Sequence, residues 1–95
     1  MQTTHTLKCL IVFFQPKWDK CKTFEIRKND RNYKVNDKIK IRECYYSEGE
    51  CIYTGRYVIE VITYVLHGAT QYGLMHGYCI LSTRLLLFDI QKPSK

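Results

Sequence analysis

The chain is expected to fold as a mainly β domain (α+β), a small mixed β-barrel of five or six strands with one short helix. Three observations predict this. Several short stretches alternate apolar and polar residues with a period of two, which marks half-buried strands. Most connections between them are too short for parallel crossovers. One segment, around Phe13, Phe14 and Trp18, spaces its apolar residues as a helix does. From periodicity alone, an OB-type barrel is the main competitor.

Taken in order, residues 5–10 alternate as a first strand. The helix follows, with Phe13, Phe14 and Trp18 turned inward. Pro16 suits a helix's first turn, so the short version, residues 16–20, is preferred to a longer kinked one. Residues 22–28 form the next strand, and Asn29-Asp30-Arg31-Asn32 is a turn by composition. In residues 38–44, Ile39 and Ile41 face one way and Lys38, Lys40 and Arg42 the other, giving a strand with a basic outer face. Residues 47–50 are a loop and residues 53–56 a second turn. Residues 57–66 are apolar on both faces and rich in β-branched side chains, as a long central strand requires. Residues 67–77, with three glycines, are a loop before a strand at 78–83. Residues 85–88 either extend that strand or pack beneath the barrel.

The 95 residues suit one domain, residues 1–90, with a frayed tail at 91–95. No apolar run approaches the ~20 residues of a membrane span, and the first five residues lack the features of a signal peptide. A cytoplasmic protein without a membrane partner is expected. The five cysteines are odd in number and form no Cys-x-x-Cys pair, so reduced thiols are the default. Cys44 and Cys51 flank a loop and can approach each other across a hairpin. The histidines are scattered, which leaves no metal-ligand spacing. No metal and no cofactor is expected.

The net charge of +6 is unevenly placed, with ten of the fifteen Lys and Arg between Lys17 and Arg42. From Val61 to Phe88 there is no acid, and Arg84 is the one Lys or Arg. A basic half joined to a neutral apolar half predicts one electropositive surface, for which nucleic acid is the common partner. A solvated basic face kept for solubility is the plainer explanation.

The most informative stretch is residues 22–31. Its alternation puts Phe24 and Ile26 on one face and Thr23, Glu25 and Arg27 on the other, with Lys22 at the strand's mouth. An acid and a base sharing a face form either a plain ion pair or a grip for a polar planar ligand.

These residues carry a family resemblance. His5-Thr6-Leu7-Lys8, the stretch 22–31, Val35-Asn36-Asp37, Arg42-Glu43, Tyr53-Thr54-Gly55-Arg56 and Gly77-Tyr78-Cys79-Ile80-Leu81-Ser82 together resemble a small group of bacterial and phage proteins of unknown function. That group lies in the ASCH division of the PUA-like superfamily. The pattern Gly-x-Lys-x-x-Glu-x-Arg falls on Lys20, Lys22, Glu25 and Arg27, without the leading glycine. Pro16 interrupts the family's helix, and residues 85–90 lie beyond the match. The resemblance implies a PUA-like barrel and a role in binding RNA or modified nucleotides.

Three functional readings follow. In the first, Lys8, Lys22, Arg27, Lys28, Arg31 and Arg42 neutralise phosphates while Glu25 accepts hydrogen bonds from a base edge. Trp18, Tyr33, Tyr45 and Tyr46 are then the aromatics placed to stack, with Phe13, Phe14, Tyr64 and Tyr78 in the core. RNA or a nucleotide is the expected partner, with DNA or a protein as alternatives. In the second, the resemblance implies an amidohydrolase acting on an acylated cytidine, using a lysine, a threonine nucleophile and a glutamate. Lys22 stands at the lysine position, Glu25 occupies the nucleophile's place, and Thr23 shares its face two residues earlier; a rearranged site with Glu25 as general base on a bound water is the alternative. No carboxylate falls between Glu60 and Asp89, where the family's glutamate belongs. In the third, an accessory protein binds a host factor through its basic face or residues 85–88.

Overall fold

The computed structural model describes residues 2–91. Its elements are strand β1 (Thr4–Leu10), helix α1 (Ile11–Trp18), β2 (Phe24–Lys28), β3 (Lys38–Ser47), β4 (Glu50–Leu66), a short 3₁₀ turn (Thr70–Tyr72) and β5 (Tyr78–Ile90). The strands form one sheet in the order β1-β3-β4-β5-β2. β1 runs parallel to β3, and every other pairing is antiparallel. The expected β architecture with one helix is therefore present, as a curled half-barrel of five strands.

The run expected to be a central strand is the middle of the sheet. β4 has 17 residues and pairs β3 on one side and β5 on the other. Bulges near Ile59/Glu60 and Ile62/Tyr64 bend it, which increases local twist and curls the sheet. The β3–β4 hairpin turns on Glu48 and Gly49 alone, with φ of 51° and 80°. Two consecutive positive φ values are the mark of a type I′ turn, whose twist matches the strands it joins.

The curl brings the two border strands, β1 and β2, toward each other, but no backbone ladder closes the gap. Two arginines bridge it instead. Arg27 Nη1 donates to Lys8 O at 3.0 Å and Arg31 Nη1 donates to Thr6 O at 2.9 Å. Alternate carbonyls of β1 thus receive guanidinium groups where a neighbouring strand's N–H groups would otherwise stand.

The core lies inside the curl: Leu7, Phe14, Ile39, Ile41, Val58, Ile62, Cys79 and Leu81 are buried, with Trp18, Val65 and Leu85 packed against them. At its far end His5 Nε2 meets Asp37 Oδ2 at 2.9 Å, and the Thr3 and Lys34 N–H groups donate to the same carboxylate. Burial pushes the Asp37 carboxyl up, but these hydrogen bonds outweigh it and hold the group below its ordinary value.

Several expectations need correction. The helix starts at Ile11, straight out of β1, and Pro16 sits inside it rather than in its first turn. Leu10 supplies no side-chain cap, so no polar signal marked the start. Pro16 forgoes the i→i−4 hydrogen bond that its N–H would make, and its carbonyl accepts Cys21 N–H at 2.8 Å as the chain turns away. Phe13 and Tyr64 are exposed, not core, whereas Tyr33 is buried. Residues 53–56 are not a turn but a bulge in β4, where Gly55 takes φ 99° opposite the break in β3's register. A Cβ there would approach Gln91 O to 2.9 Å. Residues 85–88 continue β5, and Gln91 N–H donates to Gly55 O at 2.7 Å. The rest of the tail, residues 92–95, lies outside the described residues. No helix among the described residues is long and apolar enough to cross a membrane.

Candidate functional site

β2 alternates as its sequence says, and the structure shows which face is turned inward. Phe24 and Ile26 are exposed, at 44% and 56%, while Glu25 is 2% exposed. Of the polar row, Glu25 is buried and Arg27 half-buried, while Thr23 is exposed. A buried carboxylate needs compensation, and α1 provides it. Phe14 and Lys17, three residues apart, share the helix face that enters the curl, and both are completely buried.

Lys17 Nζ donates to Glu60 Oε1 at 2.9 Å and to Glu60 Oε2 at 3.2 Å. It also stands 2.9 Å from Glu25 Oε2, at an angle unsuited to a hydrogen bond. The other Glu25 oxygen, Oε1, accepts from Arg27 Nε at 3.0 Å and from Arg27 Nη2 at 2.8 Å. Lys22 Nζ lies 3.8 Å from Glu25 Oε2. Lys17 and Arg27 balance Glu25 and Glu60, so the inner cluster sums to zero charge. Glu25 Oε2 is left buried without a hydrogen bond.

Directly over this cluster is a pocket of about 630 Å³, in the range of small-molecule sites. Glu25, Arg27, Lys22 and Lys8 contribute its polar groups, and Leu10, Val12, Phe13, Pro16, Phe24 and Ile26 its apolar walls. The ends of α1 and β2 that looked wrongly exposed are therefore the pocket's sides. Lys22 Nζ stands 5.4 Å from the ring centroids of both Phe13 and Phe24, joining the two aromatic walls. Cys9 also lines the space; burial first, then the nearby Glu25 charge, pushes its thiol up to about 11.

Four of the sequence-derived site residues, Lys8, Lys22, Glu25 and Arg27, therefore meet at one pocket. Lys28 and Arg31 line an adjoining hollow of about 320 Å³ that shares Ile26 and Arg27 with the first. Arg42 is elsewhere, on the outer wall, its guanidinium 3.6 Å from the Tyr53 ring centroid. Thr23 is exposed and does not line the pocket. Lys17 and Glu60 went unnoticed in the sequence. The one available signal was a lysine three residues after Phe14 on helix α1.

A second buried ion cluster braces the β4 bulge. Glu43 accepts from Thr54 Oγ1 at 2.6 Å, from Arg56 Nε at 2.8 Å and from Arg56 Nη2 at 2.5 Å. The Arg56 guanidinium lies 4.7 Å from the Trp18 ring centroid. The Arg56 hydrogen bonds, aided by Thr54, hold Glu43 below its ordinary value against the upward pull of burial.

Fold and site define a small curled-sheet domain whose helix α1 inserts a lysine between two glutamates beneath a pocket. The chain belongs to the family described as Domain of unknown function (DUF3850), whose profile matches residues 4–83. No curated protein matches the chain.

Proposed function

We propose that the pocket binds a nucleobase, presented by RNA or by a nucleotide. The observation that carries this is Glu25, a buried carboxylate lining a pocket of about 630 Å³, whose Oε2 is ion-paired with Lys17 at 2.9 Å but accepts no hydrogen bond. That oxygen keeps a lone pair for a further donor, and a base's exocyclic amine supplies such an N–H. Phe13 and Phe24 offer ring faces beside it, and Lys8, Lys22 and Arg27 offer positive charge for the attached phosphate. Placement in the ASCH division of the PUA-like superfamily belongs to the same proposal. It is supported by the helix directly after the first strand and by the Lys22, Glu25 and Arg27 pattern at the pocket.

Binding is favoured over hydrolysis. Among the described residues, no hydroxyl side chain lines the pocket, and the one thiol, Cys9, is held protonated by burial. The test is titration with the four ribonucleoside monophosphates at low salt, followed by amide chemical shifts. Adenine, cytosine and guanine, which carry an exocyclic amine, are expected to bind more tightly than uracil. Glu25→Gln should weaken them about tenfold and narrow that preference. If no nucleotide shifts the amides of residues 22–27, the proposal fails.

A further inference from the structure

The outer wall of the sheet is unlike the inner one. Lys38, Lys40 and Arg42 alternate with the buried Ile39 and Ile41, so all three point outward from β3. Register places Lys8 of β1 beside Arg42, and Val61 of β4, itself beside Lys38, next to Arg84 of β5. Five cations thus share one face. None of them makes an ion pair with a carboxylate among the described residues, although Glu25, Glu43, Glu60 and Asp37 are all paired inside the curl.

What three of these cations do have is aromatic rings. Lys8 Nζ lies 5.6 Å from the Tyr46 centroid, Arg42 Cζ lies 3.6 Å from that of Tyr53, and Lys40 Nζ lies 4.5 Å from that of Tyr57. Tyr46 and Tyr53 remain 53% and 41% exposed. The register puts Asp89 beside Tyr57, and Glu50 opens β4 at the hairpin tip. Successive outward residues on a strand are about 6.6 Å apart, the scale of one extended nucleotide.

We infer that this outer wall is a second binding surface, a track for single-stranded nucleic acid. Lys38, Lys40 and Arg42 meet successive phosphates, and the rings of Tyr46 and Tyr53 stack on bases. Lys8 belongs both to this wall and to the rim of the pocket, so one strand can run along the wall and turn a base inward. The inference rests on the nucleobase reading of the pocket and selects a polymer over a free nucleotide as its ligand.

Fluorescence anisotropy with a labelled oligocytidylate of about ten nucleotides, beside titration with cytidine monophosphate, separates the two claims. The double variant Lys38→Gln/Lys40→Gln touches no pocket residue. It should weaken the oligomer tenfold or more, and lower the slope of log affinity against log salt by about two. It should leave the mononucleotide's affinity unchanged. Tyr53→Ala should weaken the oligomer by a further several-fold. An oligomer that binds no tighter than the mononucleotide, or that is indifferent to the double variant, overturns the track while leaving the pocket reading intact. If neither ligand binds the native protein, both fall. Displacement of the oligomer by polyglutamate of equal charge at equal concentration would reassign the wall to an acidic protein partner.

Discussion

Glu25 and Glu43 are equally buried, each 2% exposed and each held by an arginine, yet they are differently completed. Glu43 has both oxygens engaged, by Thr54 and by two nitrogens of Arg56, and it braces a bulge. Glu25 has one oxygen engaged by Arg27, while the other lies among ammonium groups without a hydrogen bond, under a pocket. A buried carboxylate with all its acceptor sites filled is structural. One with a site in reserve beside a pocket is what the proposed nucleobase contact requires. Burial and charge pairing alone do not separate the two; counting donors does.

The comparison is broken most directly by Lys17→Met. This leaves two buried carboxylates without their shared cation, and breaking such a cluster costs about 3–5 kcal/mol. Urea denaturation should show that loss, and a loss below ~1 kcal/mol would mean that water reaches the cluster. Arg56→Ala comes next, at about 2–4 kcal/mol by the same measurement, from the stranded Glu43 charge and the lost packing on Trp18. It should leave nucleotide affinity within about twofold, because Arg56 does not line the pocket.

Acid provides a subtler probe. In the folded chain Arg56 holds Glu43 below its ordinary value of 4.5, so the unfolded chain takes up the proton first. The stabilisation from this pair is complete above about pH 4.5 and is lost as pH falls through the folded value. Stability measured from pH 6 to 3 should therefore decline at the acid end, and Glu43→Gln should make that decline shallower. Smallest is Thr23→Ala, expected to move stability by no more than about 0.5 kcal/mol and to leave nucleotide binding untouched. Loss of binding in that variant would return the hydroxyl to the site.

The sequence made the strands legible, because alternation in β1 and β3 and the two-sided apolar run of β4 are local properties. It did not reveal which face of β2 is inside. Phe24 and Ile26 have the composition of a core face, and nothing within five residues announces that Lys17 and Glu60 arrive from elsewhere to compensate Glu25. The pocket residues Lys22, Glu25 and Arg27 were legible as a group because they sit on one short strand. Arg42, grouped with them by charge, stands on the opposite side of the sheet, since linear proximity to a basic cluster carries no information about faces. The bulge at Gly55 looked like a turn because glycine with positive φ serves both.

The two guanidinium groups seated on Thr6 O and Lys8 O have an effect on crowded protein as well as on a single molecule. A sheet border with its carbonyls bare is a template on which a stray segment from another copy can add itself. With alternate acceptors on β1 already occupied by fixed positive charge, that template is defaced, and concentrated solutions are steered away from ribbon-like stacking at this border.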